Sequence, residues 1–599
     1  MANFTITGLS SGIDFDALIQ GLLDVAREPI QLLEERKSEY ENLNSLYQEL
    51  NTKLLSLRTA VEAINLPSEF AAKSVTVADD GSTSATRLTA SASGSATNGT
   101  HSIVIGQLAQ AETEMHAGVA SSTTVVNSSG GDLYFQYTYA GTQRTLTVPD
   151  GTTLEGLRDL INNDSSNPGV TASILNDGSG SATAYHLVLT GNDTGYTKNI
   201  TIDSGTTLNG TNSVDFRSST FTETQTAQSA VLNVDGFVTN NTFQAEIETH
   251  SGTGITDGTT VIYDTTTGTG DKVFEFTYGE LTFTVTFTDD NASQYTLQNL
   301  VDVINGNSVS GITINRPTDG RVTASIVNTN QFRLTGRDSG VSLAITSNTT
   351  LDGTDGTKDF SSSQFTTTQT AQGIVKHSNT VTDAISGVTL NLHRADSSVT
   401  ITLTVSTDVE RVKEKINTFV DAYNDVMAFI YEQTKYDATT RVAGPLLGEA
   451  TTRTVKSEVQ GIVTGKVLSS GTYTSLSQIG IKTQSDGTLT VNDDDLSKAL
   501  SANFTAVSDL FVNNGTTNGV AEQLRTKLNY LTSIVDGPVY LRRKGLGDAI
   551  NDLQKQITRK EEELDRYEEQ LRREFAALEA LLSGLTAQGT FLSNQLSFM

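Results

Sequence analysis

Between residues 550 and 585 an apolar side chain recurs at every seventh position, at Ile550, Ile557, Leu564, Leu571, Leu578 and Leu585. That spacing keeps one seam of an α-helix turned toward a partner along its length. Leu546, Leu553, Tyr567 and Leu581 fill most of the alternate core positions, and Lys560 and Glu574 interrupt them, which makes the seam a weakened zipper. A helix of about forty residues is roughly 60 Å long at 1.5 Å per residue, so it cannot bury its stripe against itself. A matching pattern stands near the other terminus: Leu33, Tyr40, Tyr47, Leu54 and Val61 form one heptad set, and Leu43, Leu50, Leu57 and Ile64 the other. Together they predict an antiparallel pair that closes the chain, with everything between carried as an insertion.

The insertion changes character. Asp14-Phe15-Asp16 opens the first helix with acid at its positive end, Pro29 predicts a restart, and the second helix is expected to end near Leu66-Pro67. From Lys73 the pattern alternates with period two, as in Lys73-Ser74-Val75-Thr76-Val77 and His101-Ser102-Ile103-Val104-Ile105, and Thr, Gly, Ser and Asn dominate to about residue 406. Short strands with many turns follow from that composition. The region is duplicated: Asp215-Phe216-Arg217-Ser218-Ser219-Thr220-Phe221-Thr222-Glu223-Thr224-Gln225-Thr226-Ala227-Gln228 recurs from Asp359 to Gln372 with 11 of 14 residues unchanged. Residues 154–162 resemble 297–305, Val170–Ile174 repeats as Val322–Ile326, and Leu189-Thr190-Gly191 as Leu334-Thr335-Gly336. Two copies of one domain, each with strands about a short helix, account for this.

Helical period returns at Val409, Val412, Ile416, Phe419, Tyr423, Val426 and Ile430, with Thr407 or Asp408 as the cap. A helix after Gly444-Pro445, a hairpin about Ser485-Asp486-Gly487-Thr488 and one short helix from Asp495 to Phe511 complete a mixed segment, and Gly537-Pro538 breaks the chain before the terminal heptads. The expected fold is α+β: a terminal antiparallel coiled-coil or helix-bundle leg with inserted, duplicated β-rich heads. Its division is 1–43 with 558–599 as the leg, 44–80 with 405–557 as a mixed α+β body, 81–118 with 373–404 as a β-rich connecting domain, and 119–230 and 231–372 as the two head repeats.

Formal net charge is −29, and residues 84–406 hold 30 acidic against 13 basic side chains while residues 541–582 hold 10 against 9. The acidity therefore belongs to the insertion, and the balance argues against a nucleic-acid surface, which needs clustered Lys and Arg. Without cysteine, disulfides and thiolate metal sites are excluded. Met1–Ser11 lacks the basic and apolar regions of a secretory signal, and no run of eighteen apolar residues is present, so we expect no membrane insertion. Gly8-Leu9-Ser10-Ser11-Gly12 matches a hydrolase elbow but has no strand before it. Gly461–Val467 is one residue short of a phosphate loop. The six histidines, His101, His116, His186, His250, His377 and His393, are scattered, and Asn492-Asp493-Asp494-Asp495 fits a helix cap better than a calcium loop. No catalytic, metal or cofactor site is expected, and no enzyme.

Several segments resemble one family. Gly8-Leu9-Ser10-Ser11-Gly12-Ile13-Asp14, Leu18-Ile19 and Glu28-Pro29 are similar to the start of the flagellar cap, or hook-associated protein two, family. Gly444-Pro445-Leu446-Leu447-Gly448, Ile479-Gly480-Ile481 with Asp486-Gly487-Thr488-Leu489, Lys544-Gly545-Leu546 and Gly589-Thr590-Phe591-Leu592 resemble its C-terminal half, and Ile385–Leu390 resembles the segment closing its insertion. The resemblance covers roughly 1–75 and 375–599, and the middle in character only. It implies a non-enzymatic assembly factor, exported by the flagellar type III apparatus to the flagellum tip. There it forms a ring-like homo-oligomer that promotes folding and insertion of flagellin, with hook-filament junction proteins and an export chaperone as further partners. On the apolar stripe and the resemblance together, Leu571, Leu578, Leu585, Phe591, Leu592 and Leu596 are the expected contacts for flagellin or chaperone. Leu18, Leu22, Leu33, Tyr40, Tyr47 and Leu564 complete the leg interface. The alternative from another class is a surface adhesin whose Thr-, Asn- and Gly-rich heads bind mucin or glycans.

Overall fold

The computed structural model describes residues 14–79, 86–238, 243–315, 318–467 and 471–596. The chain divides into a unit formed by its two ends, residues 1–72 with 408–599, and a second formed by residues 73–407.

The first unit is helical. Its N-terminal helix, Phe15–Glu62, begins at Asp14, whose carboxylate accepts the Ala17 amide. Pro29 lies inside this helix, so the expected restart does not occur. The carbonyl of Val25, which loses its partner to the proline, belongs to a turn on which Val25, Glu28 and Pro29 are exposed. Tyr47, Leu50, Leu54, Leu57 and Val61 are fully buried, and they pack with Val412, Ile416, Phe419, Tyr423, Val426 and Ile430 of the helix Val409–Thr434. Asp408, one of the two expected caps, accepts the Arg411 amide.

The helices Ala450–Thr464 and Val520–Leu531 and the hairpin Ile481–Thr483/Leu489–Val491 close the same core. Where one helix was expected over 495–511 there are two, Asp493–Ala502 and Phe504–Phe511, because Asn503 turns its side chain to accept the Ala506 amide and caps the second. The C-terminal helix runs unbroken over Pro538–Leu596, with Pro538 at its first position. Each buried Leu or Val here stabilises the unit by about 1.5–3 kcal/mol.

Among its described residues the second unit has three hydrophobic cores. One lies under an antiparallel five-stranded sheet ordered Lys73–Ala78, Asp396–Thr407, Gly99–Gln107, Ala230–Val234, Ile374–Lys376, with a three-stranded sheet of Leu88–Ala92, Val388–Leu392 and Thr380–Ile385. The strand Ala230–Val234 returns to this sheet between the two repeats.

The repeats share a plan. The first has a sheet ordered Phe221–Gln225, Thr113–His116, Tyr185–Gly191, Val170–Asn176, and the second Phe365–Gln369, Ile247–His250, Gln331–Gly336, Val322–Val327. The helices Leu154–Asn162 and Leu297–Ile304 start on Thr153 and Thr296, each of which caps its own first turn. The duplication extends to polar pins that periodicity does not reveal. Ala111-Glu112-Thr113-Glu114-Met115-His116 matches Ala245-Glu246-Ile247-Glu248-Thr249-His250. Glu112 accepts the Ile200 amide (3.0 Å) and Glu246 that of Leu343 (2.8 Å). His116 donates from Nε2 to the Asp215 carbonyl and stacks on Phe216, as His250 does with Asp359 and Phe360. The hydroxyls of Tyr139 and Tyr278 accept the amides of Asp193 and Asp338. Gly191 and Gly336 lie against those two rings, where a Cβ would come within 2.7 and 2.8 Å.

Candidate functional site

The described part of the N-terminal helix starts beside the middle of the C-terminal one. The rings of Phe15 and Phe575 are 5.3 Å apart, Asp16 lies 3.4 Å from Arg572, and farther along Arg543 donates to Gln48. The two helices are thus antiparallel, as the heptads predict. Ile19, Leu23 and Leu571 form a small separate core with Leu564 and Phe575 at its margin. At the other end of the seam the Tyr47 hydroxyl donates to Glu449, which also accepts from Nε and Nη2 of Arg542 at 2.9 and 2.8 Å. Burial lifts the Tyr47 phenol above its ordinary pKa, so it remains a donor there.

Past Phe575 the C-terminal helix continues to Leu596 while the described N-terminal helix has ended. The heptad stripe continues with it and meets nothing described. Leu571 is 6 % exposed, but Leu578, Leu585 and Phe591 are 43, 54 and 65 % exposed, and Leu581 and Leu592 are likewise open. From Leu578 to Leu592 the length that no described residue covers is about 21 Å at 1.5 Å per residue. By length and composition alone the helix is apolar enough to cross a membrane. Ser583, Thr586, Thr590 and Ser593 nevertheless line its other face, which makes it amphipathic.

The expected interface residues fall into three settings. Tyr47 and Leu571 are buried, and Leu33, Tyr40 and Leu564 are half-buried along the seam. Leu18, Leu22, Leu578, Leu585, Phe591 and Leu592 are exposed. The side chain of Leu596 lies outside the described residues, although the helix reaches it. Lys560 and Glu574 are exposed and bonded along their own helix, to Glu563 and Gln570. Val25 and Leu32, which the heptad reading left out, extend the exposed pair Leu18 and Leu22 at spacings of four, three and seven into a second apolar stripe. The same spacing test, applied to the outer face of that helix, finds them. Tyr530, at the end of the helix Val520–Leu531, and Ile534 and Val535, in the turn before the C-terminal helix, are also exposed.

Ionisable groups are used to fasten. Arg321, from the second repeat, donates from Nε to the Tyr196 carbonyl (2.6 Å) and approaches Glu112 to 3.8 Å in the first. Tyr196 in turn accepts the Glu280 amide and stacks on His377. Burial pushes the Glu112 carboxyl well above the carboxylate range, with the Ile200 amide and Arg321 pulling the other way. Among the described residues no three His, Asp or Glu side chains are placed to hold a metal. Asn492 caps its helix by accepting the amides of Asp494 and Asp495, and Gly461–Thr464 is helical, so neither motif forms a ligand loop. Residues 8–12, the elbow-like motif, lie outside the described residues.

Comparison with known proteins gives one answer. A model of the flagellar hook-associated protein 2 N-terminus matches residues 11–112, one of the C-terminus of the same protein matches 361–587, and a flagellin hook IN motif matches 132–185 in the first repeat. The flagellar hook-associated protein 2 of Salmonella typhimurium is 29 % identical over 38 % of this chain and 49 % of its own length, so that match spans about half of the relative. Those of Thermotoga maritima and Escherichia coli are 25 % and 24 % identical, over 100 % and 99 % of this chain and 96 % and 98 % of their own. The D1-D2-D3 domains of the E. coli flagellar cap protein share the fold, with a TM-score of 0.51 and 22 % identity over 84 % of this chain and 99 % of that one. Two terminal models that together take in more than half of the residues, and relatives aligned from end to end, lead to one conclusion: the chain belongs to the flagellar hook-associated protein 2, or flagellar cap protein, family.

Proposed function

We propose that this chain caps the distal tip of a bacterial flagellar filament, where copies of it form a closed ring and promote the folding and insertion of flagellin without catalysing a reaction. The observation that carries this reading is the uncovered stripe from Leu578 to Leu592. An apolar face of that length is paid for only when another chain covers it. Flagellin and, before export through the flagellar type III apparatus, a chaperone are its occupants in this reading, and hook-filament junction proteins are neighbours. The chain then divides into a leg (1–43 with 558–599), a helical body, a connecting domain that takes in the strands Lys73–Ala78, Ala230–Val234 and Asp396–Thr407, and two heads, the first of which starts with the strand Thr113–His116.

The test is a full-length chain with Leu578, Leu585, Phe591 and Leu592 all replaced by Ser, returned to a strain that lacks the protein. We expect the variant to fold and to keep its helix content, because these side chains are exposed, and to leave the cells non-motile with flagellin shed into the medium. Full motility would refute the assignment of this stripe.

A further inference from the structure

The four-stranded sheet of each head has two edges, and they are finished differently. At the Val170–Asn176 edge the helix residue Asn162 donates to the Ala172 carbonyl and accepts the Ala172 amide, both at 2.8 Å. At the Val322–Val327 edge Asn305 does the same to Ala324, both at 2.9 Å. One amide side chain thus occupies the donor and the acceptor that a further strand needs. The opposite edges, Phe221–Gln225 and Phe365–Gln369, have no plug. Among the described residues the amides of Phe221 and Phe365 close the preceding turn on the Ser218 and Ser362 carbonyls, and beyond them the backbone of each edge bonds only to the neighbouring strand of the same sheet. Thr222 to Gln225 and Thr366 to Thr368 are exposed. Neither edge contains the Lys or Pro that commonly keeps an edge from pairing. Both have a register shift at the same place, which leaves Phe221–Glu223 and Phe365–Thr367 regular.

We propose that these open edges join copies of this chain, Phe221–Gln225 of one copy adding antiparallel to Phe365–Gln369 of the next. This rests on the ring reading above and names the surface through which heads meet. Charge selects the pairing. The first edge carries Glu223 at its centre, already beside Glu114 of the neighbouring strand, and the second carries Thr367 at the equivalent place. Joining the first edge to itself sets Glu223 against Glu223, an unfavourable cross-strand pair. Joining the second to itself stops at two copies and leaves the first open. Joining first to second sets Glu223 against Thr367, an uncharged residue whose hydroxyl already donates to Glu248 of its own sheet, so the nearest carboxylate across the joint is one strand farther away than in the self-joined first edge, and both edges of every copy are used. Because it is head-to-tail, the contact also propagates around a ring.

The chain has no cysteine, so introduced pairs report cleanly. A register centred on Glu223 and Thr367 pairs residues that are regular on both edges, and it sets Thr222 against Thr368, the residue at which the second edge shifts register, so the two pairs sample the regular and the shifted part of the joint. The full chain is made as Glu223→Cys with Thr367→Cys, as Thr222→Cys with Thr368→Cys, and as each single variant. Native mass is measured before mild oxidation. We expect an oligomer, and from at least one double variant a ladder of disulfide-linked species above dimer that collapses on reduction, with every single variant remaining monomeric on a denaturing gel. A dimer from Thr367→Cys or Thr368→Cys alone would show the second edge joined to itself and overturn the proposal. An intact oligomer without any ladder overturns it while leaving self-association standing. A chain that stays monomeric removes both.

Discussion

Replacing Leu571 by Ala separates the part of the heptad stripe that the chain uses itself from the part it leaves open. Leu571 is 6 % exposed and packs on Ile19 and Leu23. Burying a leucine is worth about 1.5–3 kcal/mol, and a clasp of only two helices closes partly over the gap, so a loss of about 2 kcal/mol is expected. That loss falls on the local equilibrium that opens residues 15–27 from 564–575, and it corresponds to about thirtyfold more opening. Hydrogen exchange followed by mass spectrometry reads it directly: amides of both segments should exchange about thirtyfold faster, while the body about Tyr423 and Leu528 does not change. Leu578→Ala is the matched control. Its side chain is 43 % exposed, and truncation there should alter exchange by less than about 0.5 kcal/mol, yet reduce filament growth. Equal exchange in the two variants would show that Leu571 is not the closing residue and that the stripe is not divided at Phe575.

Two further outcomes follow from the heads. Gly191→Ala and Gly336→Ala place a methyl within 2.7 and 2.8 Å of the buried rings of Tyr139 and Tyr278; each should cost about 1–3 kcal/mol in urea unfolding, whereas Gly131→Ala, with open space about it, should cost almost nothing. His116 and His250 are held below the ordinary imidazole pKa, chiefly by burial. The unfolded chain takes up protons that the folded heads exclude, so the stability each contributes is complete above about pH 6.5 and is lost as pH falls through the depressed folded value. Replacing both by Gln should flatten the decline in unfolding midpoint between pH 7 and pH 5. The buried Glu112 acts in the opposite sense but is common to parent and variant, so their difference isolates the imidazoles.

Periodicity carried the helices and the direction of their pairing, because a long seam repeats one physical requirement many times. It misjudged Pro29, since a proline on a solvent-facing turn costs the helix one hydrogen bond, and nothing in the local sequence says which way the turn faces. It missed Val25 and Leu32 because those residues sit outside the heptad set that pairs within the chain. In the heads, the repeated segment from Asp215 and from Asp359 announced the duplication. The pins that hold it, such as Asn162 on Ala172 or Glu112 on Ile200, join residues whose partners are set by tertiary contact. Arg321 and Tyr196 are more remote still, separated by more than a hundred positions and joined by one hydrogen bond. No period links them.

Charge and apolar surface are partitioned along the same lines. Residues 541–582 are nearly neutral, so like charge does not oppose another chain laid on the leg, while residues 84–406 carry most of the acidity. On the leg, the apolar stripe of Leu18, Leu22, Val25 and Leu32 and the one from Leu578 to Leu592 both remain open. Contacts there draw on the hydrophobic effect, which salt hardly weakens. In the heads, mutual repulsion favours contacts that bring few carboxylates together, and the threonine-rich edges at Phe221–Gln225 and Phe365–Gln369 carry one between them, Glu223. In the ring proposed above, the legs would hold a copy through their apolar stripes and the heads would register it through their open edges.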